Sequence, residues 1–449
     1  MHTYIEQVIE DVKQQNAAEP EFIQTVEEVL RSLEPAIAQH PEYVEADILG
    51  RLVEPERMIT FRVSWLDDRG RVRTSRGYRV QFNSAIGPYK GGLRFHPTVY
   101  SGIIKFLGFE QVFKNALTGL SIGGGKGGSN FDPRGKSDGE IMRFCQAFMT
   151  ELYRHIGSSV DVPAGDIGVG SREIGYLFGQ YKRLRGSFEN GVLTGKSLEY
   201  GGSQVRPEST GYGAVYFLQH LLQHEGTSLE GKTVALSGYG NVTWGAALKI
   251  NQLGGKVVTI SGSDGYIYDA DGISGEKVEY LLWMREHNTG VKAYAECYPS
   301  AQFYPGETPW GKVPDVDIYM PCATQNEITL NEAIAIVRQG VRYVIEVSNM
   351  PCTNEAIDYL MQHGVVMAPS KAVNAGGVAV SALEMSQNSQ GYAWEADVVE
   401  EKLEEIMKDI HDNAAAAAEE YGLGYNLMAG ANLAGFHRVA RAMYGQGVL

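Results

Sequence analysis

The chain has 449 residues, enough for two or three domains, and its 43% hydrophobic and 21% charged residues are typical of a globular protein. Its formal net charge of −15 argues against nucleic acid or an anionic membrane as the main partner. No apolar run approaches the ~20 residues of a membrane span, and no signal-peptide core opens the chain. Four cysteines lack metal-ligand spacing: Cys145, Cys297, Cys322 and Cys352. We therefore expect reduced thiols, a cytoplasmic protein and no metal centre.

The first 50 residues carry the period of an amphipathic helix, with apolar residues at i, i+4, i+7, i+8 and i+11: Phe22, Val26, Val29, Leu30 and Leu33. The segments "RMITFRVSWLDD" and "TSRGYRVQFN" then alternate apolar and polar residues around "DDRGR". This alternation predicts an antiparallel hairpin with a polar turn.

Three lysines lie in glycine-rich or apolar segments, where a charged side chain is unusual. Lys90 in "GPYKGGLRFHP" and Lys126 in "SIGGGKGGSN" lie beside paired glycines, in what we predict to be glycine-rich turns at a rigid, buried place. Lys114 shares a predicted helix with Gln111. Such lysines are commonly solvated ends, but three together favour a cationic pocket for a small anionic substrate. A lysine among other cations and apolar surface has a lowered pKa and is a usable base near neutral pH.

An acidic residue, Asp166, follows in "DVPAGDIGVGSREIGYL", held between Gly165 and Gly168. One interpretation is proton transfer beside a lysine. The other is an N-terminal cap for the helix that "SREIGYL" begins, for which Ser171 is the better candidate.

After residue 200 the segment "GKTVALSGYGNVTWGAALKINQLGGKVVTISGSDG" predicts strand, glycine turn, helix and strand. Gly238 and Gly240 permit a tight turn close to a pyrophosphate. Asn241 and Val242 open a helix whose N-terminal amides favour the phosphate charge. Thr243 stands where a third glycine is usual. A glycine turn that binds no nucleotide is the alternative interpretation.

The residues around the second strand favour NAD, with NADP as the open alternative. Asp264 ends that strand, where an acid can hold the ribose hydroxyls, and the ring of Tyr239 fills the fingerprint turn. In the other direction, Ser263 can hydrogen-bond a 2′-phosphate, and Lys136 could arrive from the first half of the chain.

Short apolar runs follow at "DVDIYMPC", "VRYVIEVS" and "GVVMAPS", with helical segments between two of them. Alternating strands and helices predict a doubly wound parallel sheet. The segment "VVEEKLEEIMKDIHDNAAAAAEEYG" predicts a long helix. The fold class is therefore α/β with two domains, joined near residues 195 to 205.

Six segments, in order along the chain, resemble the hexameric bacterial glutamate dehydrogenases of the amino-acid dehydrogenase superfamily: "GPYKGGLRFHP", "LSIGGGKGGSNFDP", "DVPAGDIGVGSREIGYL", "GYGNVTWGAA", "PCATQNE" and "APSKAVNAGGVAVSALEMSQN". The resemblance implies reversible oxidative deamination of L-glutamate to 2-oxoglutarate and ammonium with NAD or NADP, in a homohexamer. It also implies an N-terminal α/β substrate-binding and oligomerisation domain at 1–200, to which 425–449 returns. A Rossmann-like dinucleotide-binding domain at 201–424 completes the chain.

The resemblance further implies roles for single residues. Lys126 activates water and Asp166 carries protons. Lys114 and Gln111 bind the substrate α-carboxylate, and Asn374 lies near the reacting centre. The pocket for the side-chain carboxylate is formed by Lys90, Thr194, Val378 and Ser381. Further cofactor contacts are implied at Arg206, Thr210, Asn326 and Asn349.

Two alternatives compete with glutamate oxidation. A leucine or phenylalanine dehydrogenase shares the fold but needs apolar groups where Lys90 and Ser381 stand, so this polar pair favours glutamate. A catalytically inactive homologue that binds ligand or regulates is opposed by the intact Lys126, Asp166 and fingerprint glycines.

Overall fold

The computed structural model describes residues 2–287 and 289–448, and its N-terminal segment is helical, as predicted. Five helices precede the first strand: α1 (His2–Gln15), α2 (Pro20–Ser32), α3 (Glu34–Gln39), α4 (Pro41–Glu45) and α5 (Ile48–Val53). Pro20 opens α2, where its missing N–H costs no helical hydrogen bond and its fixed φ suits the first turn. The five apolar residues whose spacing predicted a helix here are all buried.

A five-stranded sheet follows, in the order β1-β2-β4-β3-β5. Its strands are β1 (Arg57–Leu66), β2 (Val72–Asn83), β3 (Tyr89–Phe95), β4 (Gly123–Ser129) and β5 (Asp161–Gly165). β1 and β2 form the predicted antiparallel hairpin, with Arg57 opposite Gln81 and Leu66 opposite Val72. β4 is antiparallel to β2, whereas β3 is parallel to both β4 and β5. The carboxyl ends of β3, β4 and β5 therefore lie at one edge of the sheet.

Three helices flank this sheet: α6 (Ser101–Leu117), α7 (Asp138–Leu152) and α8 (Ser171–Arg185). The predicted glycine-rich turns around Lys90 and Lys126 are wrong, because these lysines lie on β3 and β4. Glycine is needed on β4 because α6 packs at backbone distance: a Cβ on Gly124 would lie 2.4 Å from a methyl carbon of Val112. All seven residues of β4 are buried, which confirms the expected rigid, buried place.

The second sheet has seven strands in the order β12-β11-β10-β6-β7-β8-β9. They are β6 (Thr233–Leu236), β7 (Lys256–Gly262), β8 (Gly265–Asp269), β9 (Ala301–Pro305), β10 (Ile318–Met320), β11 (Tyr343–Ile345) and β12 (Val366–Ala368). Five adjacent strands, from β12 to β7, are parallel, and the three apolar runs predicted as strands form β10, β11 and β12.

The predicted parallel sheet has two further, antiparallel strands at one edge. β8 is antiparallel to β7, and β9 is antiparallel to β8. The turn between β7 and β8 consists of Ser263 and Asp264, because Gly262 pairs with Gly265. Gly265 has a φ of +140°, which only glycine adopts readily. An Asp-Gly step between apolar segments is a hairpin signal that the sequence interpretation passed over.

Ten helices accompany this sheet: α9 (Ser209–His224), α10 (Asn241–Gln252), α11 (Glu276–Glu286), α12 (Lys292–Cys297), α13 (Leu330–Gln339), α14 (Asn354–Gln362), α15 (Ser370–Val373), α16 (Gly376–Gln390), α17 (Ala396–Glu420) and α18 (Leu427–Gln446). The predicted strand-helix-strand unit is confirmed by β6, α10 and β7, and the predicted long helix by α17. Three short 3-10 helices lie at Tyr153–His155, Asn190–Val192 and Leu198–Tyr200.

The last helix, α18, takes part in two apolar cores. Phe436 and Val439 are buried in the core that contains Val80 of β2 and Phe109 of α6. Leu427, at the other end of α18, belongs to the core of the second sheet. None of the helices within residues 2–287 and 289–448 combines the length and apolar character needed to cross a membrane.

Candidate active site

Two of the predicted catalytic residues meet at the carboxyl edge of the first sheet. Lys126 lies on β4 and Asp166 directly follows β5, and the Lys126 Nζ lies 3.3 Å from the Asp166 Oδ2. Arg94, on the intervening β3, donates from Nε to the same carboxylate oxygen at 2.8 Å. The Lys126 side chain is 7% exposed and that of Asp166 is 20% exposed. The pair is therefore close together and largely shielded from water.

Burial and charge set the protonation of this pair. Burial lowers the pKa of Lys126, and the charges of Arg94 and Arg79 lower it further, against the attraction of Asp166. Burial acts to raise the pKa of Asp166, but Lys126 and Arg94 outweigh burial and hold this pKa at about 2. The site thus contains an ionised carboxylate beside an amine that loses its proton more readily than a free lysine.

Neither candidate for the cap of α8 has that role. α8 begins at Ser171, and the N–H of Gly170 donates to the Glu173 carboxylate at 2.8 Å, as in a capping box. The Asp166 carboxylate faces Lys126 and Arg94 instead, so the capping interpretation of Asp166 and Ser171 is wrong.

Lys114 and Gln111 reach the site from α6. Burial lowers the pKa of Lys114 to about 8, with Glu110 opposing the shift and Lys126 adding to it. Gln111 donates from Nε2 to the Oδ1 of Asn115 at 2.7 Å. The charge of Lys114 therefore lies close to the Lys126 and Asp166 pair, as a binding role for it requires.

Lys90 forms a second, deeper cationic position. It is 1% exposed, and its Nζ donates to the Thr194 Oγ1 at 2.8 Å. Burial lowers the pKa of Lys90 well below its usual range, and the carboxylate of Glu384 opposes the shift most. Ser381 on α16 is also buried and donates to the carbonyl oxygen of Gly377 at 2.9 Å. Since Lys90 and Lys126 are both buried, their interpretation as solvated ends is wrong.

Arg206 and Thr210 lie against α16. A Cβ on Gly377 would be 2.7 Å from the Thr210 Oγ1 and 3.8 Å from an Arg206 guanidinium nitrogen. The charge of Arg206 also contributes to the lowered pKa of Lys90. Arg206 therefore lies near Lys90, whereas the resemblance implies a cofactor contact for Arg206. Val378, the neighbour of Gly377, packs partly buried against the core of the second sheet.

The glycine turn after β6 has the geometry that a pyrophosphate needs. Gly238 has a φ of +75°, and Gly240 precedes the first residue of α10, Asn241. A Cβ placed on Gly240 meets no atom within 4 Å, so the space before the helix is open. Thr243 donates to the carbonyl oxygen of Ser237 at 2.8 Å. The free amides of α10, including that of the predicted Val242, fit a bound anion.

Gly245 supplies the close packing usually given by the third glycine. A Cβ there would lie 2.7 Å from the carbonyl oxygen of Glu208, immediately before α9. α9 and α10 can therefore approach each other closely at Gly245, two positions after the place of the usual third glycine.

The predicted NAD-selecting residues surround the β7–β8 turn. The Asp264 carboxylate accepts hydrogen bonds from the N–H groups of Val291 and Lys292, both at 3.2 Å. The Tyr239 hydroxyl donates to the carbonyl oxygen of Thr289 at 2.9 Å. Both side chains are thus fixed by the segment that opens α12. Ser263, the other turn residue, is exposed.

Lys136, the alternative partner of a 2′-phosphate, has partners within the first sheet's unit. Its Nζ lies 3.1 Å from the Glu140 carboxylate and 5.4 Å from the ring centroid of Trp65. The structure therefore shows it engaged away from the β7–β8 turn.

Three predicted asparagines gather where β10 and β11 end, the usual ligand edge of such a sheet. Asn374 donates from Nδ2 to the carbonyl oxygen of Val347 at 3.0 Å and to the Asn349 Oδ1 at 2.9 Å. The buried Asn374 Oδ1 has no hydrogen-bond partner among the residues described. Asn326, with a φ of +53°, donates from its backbone to Met350 at 3.0 Å.

Comparison with known proteins identifies the family. Residues 201–447 match the glutamate/leucine/phenylalanine/valine dehydrogenases, and residues 55–183 match the dimerisation domain of the Glu/Leu/Phe/Val dehydrogenases. The chain belongs to this dehydrogenase family. Its fold is the two-domain α/β fold, with an N-terminal dimerisation and substrate domain and a Rossmann-like second domain.

Individual relatives cover the whole chain. The dehydrogenase is 61% identical over 451 residues to an NAD-specific glutamate dehydrogenase of Clostridium symbiosum, covering 100% of each chain. It is 53% identical to an NADP-specific glutamate dehydrogenase of Giardia intestinalis, covering 99% of this chain and 98% of that one. A solved glutamate dehydrogenase superposes with a TM-score of 0.97 at 61% identity, covering 99% of both chains.

Sequence reasoning missed Arg94, which contacts the same Asp166 oxygen as Lys126 does. Strand alternation places residues i and i+4 on one face of a strand, so Arg94 shares a face of β3 with Lys90. Interpreting "YKGGLRF" as a strand would therefore indicate Arg94 as a neighbour of Lys90. Interpreting the same segment as a turn gives no such indication.

Two further buried polar residues, Arg79 and Asn115, donate hydrogen bonds to backbone carbonyl oxygens of β3. Arg79 on β2 pairs with Asp161 on β5, with 2.8 Å between Nε and Oδ2, and donates to the carbonyl oxygen of Gly91 at 3.0 Å. Asn115 on α6 donates to the carbonyl oxygen of Lys90 at 3.0 Å. They fix the backbone of β3, and no local pattern in the sequence indicates these contacts.

Proposed function

We propose that this dehydrogenase catalyses the reversible oxidative deamination of L-glutamate to 2-oxoglutarate and ammonium, with NAD as its preferred coenzyme. The observation that carries the proposal is the buried Lys90, which lies on the same strand as Arg94 and whose Nζ lies 2.8 Å from the Thr194 Oγ1. A buried ammonium group requires an anionic partner, and the side-chain carboxylate of glutamate supplies one.

The second carboxylate of the substrate is assigned to Lys114. This lysine, with Gln111, lies on α6 beside the Lys126 and Asp166 pair, so a ligand held at Lys90 and Lys114 spans the catalytic residues. Two fixed cationic positions orient a dicarboxylate and leave its Cα next to the proton-transfer groups.

The catalytic roles follow from the protonation of the pair. Asp166 is ionised, with a pKa of about 2, and accepts the proton that the substrate ammonium must lose before oxidation. NAD, when bound, accepts the hydride from Cα. Lys126, whose pKa is lowered by burial, then activates the water that adds to the resulting iminium carbon. Asp166 returns its proton to the departing nitrogen. Asn374, which donates to the Asn349 Oδ1, is assigned a place near the reacting centre.

The cofactor assignment rests on the open space at Gly240, the free amides of α10 and the negative charge of Asp264. Asn326 and Asn349 are assigned to the nicotinamide side. The Clostridium symbiosum relative is NAD-specific, whereas the more distant Giardia intestinalis relative is NADP-specific. NADP therefore stands as the second coenzyme to be tested.

Comparing substrates tests the proposal. Purified protein is mixed with L-glutamate, L-leucine or L-phenylalanine and either coenzyme, and the absorbance of the reduced nicotinamide is followed. We expect the highest kcat/KM with glutamate and NAD. A preference for leucine or phenylalanine would contradict the assignment of Lys90 and Ser381, and the absence of any turnover would favour an inactive, ligand-binding homologue.

The assembly proposed here is a homohexamer in the cytoplasm, built through the first domain. Support comes from the family description of residues 55–183 as a dimerisation domain. Light scattering is expected to give a mass six times the 49.2 kDa of one chain, and a monomeric mass would contradict the proposal.

A further inference from the structure

A buried carboxylate that the proposed mechanism does not use lies behind the Lys90 pocket. It belongs to Glu384 on α16, and it forms an ion pair with Lys196 at 2.6 Å in which both side chains are 0% exposed. The Lys196 ammonium also donates to the carbonyl oxygen of Leu193 and to the Asn388 Oδ1. Three oxygen atoms of the protein therefore accept hydrogen bonds from the buried Lys196 ammonium.

Glu384 also holds the backbone that carries Thr194. Its Oε2 accepts from the Gly195 N–H at 2.9 Å, and its Oε1 accepts from the Lys196 N–H at 3.4 Å. Thr194, the preceding residue, receives the hydrogen bond of Lys90. A continuous path of bonded groups thus runs from the Glu384 carboxylate to the Lys90 ammonium.

The same helix carries Ser381, three residues before Glu384. Residues at i and i+3 share a helix face, so Ser381 lies on the face of α16 from which Glu384 contacts the junction segment 194–196. One carboxylate consequently ties the helix that carries Ser381 to the segment that carries Thr194.

Glu384 also acts through its charge on the buried cations around it. Four charged side chains influence Lys90 most: Arg79, Asp161, Arg206 and Glu384. Arg79 and Asp161 compensate each other in a buried ion pair. Glu384 is then the carboxylate available to three buried or nearly buried cations: Lys90, Lys196 and Arg206. A positive charge without an anionic neighbour is strongly disfavoured in such surroundings.

We propose that Glu384 is a positioning residue for the substrate's side-chain carboxylate: it fixes Thr194 against Lys90 and places a buried negative charge behind the Lys90 pocket. This inference rests on the proposed function, because it assumes that Lys90 receives that carboxylate. Glu384 itself touches neither substrate nor coenzyme in this scheme.

Glu384→Gln tests the inference, because it keeps the shape of the side chain and removes the charge. We expect the KM for glutamate and the inhibition constant of glutarate, an unreactive dicarboxylate, to rise by about tenfold, as for the loss of one charge-assisted interaction. The KM for NAD should stay unchanged. Because Glu384 raises the pKa of Lys90, its removal lowers that pKa further. The KM for glutamate should therefore begin to climb at a lower pH in the variant than in the wild type.

Three further variants separate this effect from a loss of folding. Glu384→Asp keeps the charge and should retain the wild-type pH dependence of KM even if its KM is raised. Glu384→Gln with Lys196→Met removes both charges of the pair, so it should recover thermal stability but keep the shifted pH dependence. Glu400→Gln breaks a lysine–glutamate pair between α17 and α10, and should lower Tm without altering the glutamate pH profile.

The outcomes distinguish the two proposals. If the wild-type protein neither oxidises glutamate nor binds glutarate, the proposed function is contradicted. If the wild type is active and both variants that carry Glu384→Gln keep its KM and pH profile for glutamate, only the role of Glu384 is overturned. If the single variant Glu384→Gln does not fold, the double variant tests the role of Glu384 instead. In the double variant, too, Lys90 lacks the negative charge of Glu384.

Discussion

Among single residues, Lys126 shows how strand placement creates a catalytic group. The glycines around it let β4 pack against α6, and the resulting burial lowers the pKa of its ammonium beside Asp166. We predict that Lys126→Ala lowers kcat by about 10²–10⁴-fold, the range for loss of a general acid or base, because the residue acts on the transition state. Coenzyme affinity, measured by fluorescence titration, should be unchanged. A variant that retains a tenth of wild-type turnover would contradict the role.

Lys90 and Ser381 make the second residue-level prediction. In the double variant Lys90→Leu with Ser381→Val, the side-chain carboxylate of glutamate would face apolar groups without a counter-charge. We expect kcat/KM for glutamate to fall by the equivalent of about 2–5 kcal/mol, as when one partner of a buried charged pair is truncated. Apolar amino acids should be accepted better relative to glutamate. If glutamate remains preferred with an unchanged KM, these residues do not bind the side chain.

Among the structural elements, the β7–β8 hairpin carries the residues on which we predict the coenzyme preference to depend. Asp264 repels a 2′-phosphate, but its carboxylate also accepts two N–H groups at the start of α12. Asp264→Lys with Tyr239→Ser should shift kcat/KM towards NADP while also weakening this cap. Asp264→Asn is the smaller change, because it removes the charge and keeps one of the two oxygens that accept the N–H groups of Val291 and Lys292. It should raise the NADP-to-NAD ratio several-fold, the equivalent of about 1 kcal/mol. A wild type that favours NADP by tenfold would contradict the argument.

The glycine-rich strand β4 makes the second prediction for an element. In Gly124→Ala the new methyl group would lie 2.4 Å from a side-chain carbon of Val112 and 2.8 Å from its backbone. We expect this overpacking to destabilise the protein by about 1–3 kcal/mol. Gly179→Ala on the exposed face of α8, where a Cβ meets nothing within 4 Å, is the matched control and should raise Tm slightly. Equal Tm values for the two variants would show that β4 adapts freely to the methyl group.

On the scale of the whole molecule, α18 joins the two apolar cores, and the cleft between them is lined by buried acidic and basic groups. Glu346, at the end of β11, accepts the N–H groups of Cys352 and Ser370 at 3.3 and 3.2 Å. Burial raises the pKa of Glu346 to about 7 from an ordinary value of 4.5, and the two N–H groups oppose this shift only in part. Folding is therefore coupled to the protonation of this carboxyl group.

A carboxyl group with a raised folded pKa binds its proton more tightly in the folded state, so stability falls as pH rises from about 4.5 to about 7. Glu346→Gln removes this contribution, worth about 3 kcal/mol. The Tm of the variant relative to wild type should thus be higher near pH 8 than near pH 5. A Tm difference that is independent of pH would contradict the assignment.

The sequence by itself determined several of the local elements and indicated which residue types could form a site. Alternation predicted the hairpin of β1 and β2, the helical period predicted the N-terminal helices, and the βαβ segment predicted the turn at Gly238 and Gly240. These properties are encoded over a few neighbouring residues, which is why they can be recognised without a structure. The residue pattern indicates proton transfer by a lysine and Asp166, the resemblance singles out Lys126, and the geometry brings these two side chains to 3.3 Å from each other.

Only the tertiary structure decided which distant residues share a site. Arg94 reaches Asp166 because β3 lies between β4 and β5, an order that no local pattern records. The buried pair of Lys196 and Glu384 joins residues 188 positions apart. Glycine-rich sequence disfavours a strand locally, so the segments around Lys90 and Lys126 are predicted as turns. In the folded protein both segments are strands, and glycine is required on β4 because α6 packs closely against it. Strand order and burial depend on contacts between remote segments, and these contacts form only when the chain folds as a whole.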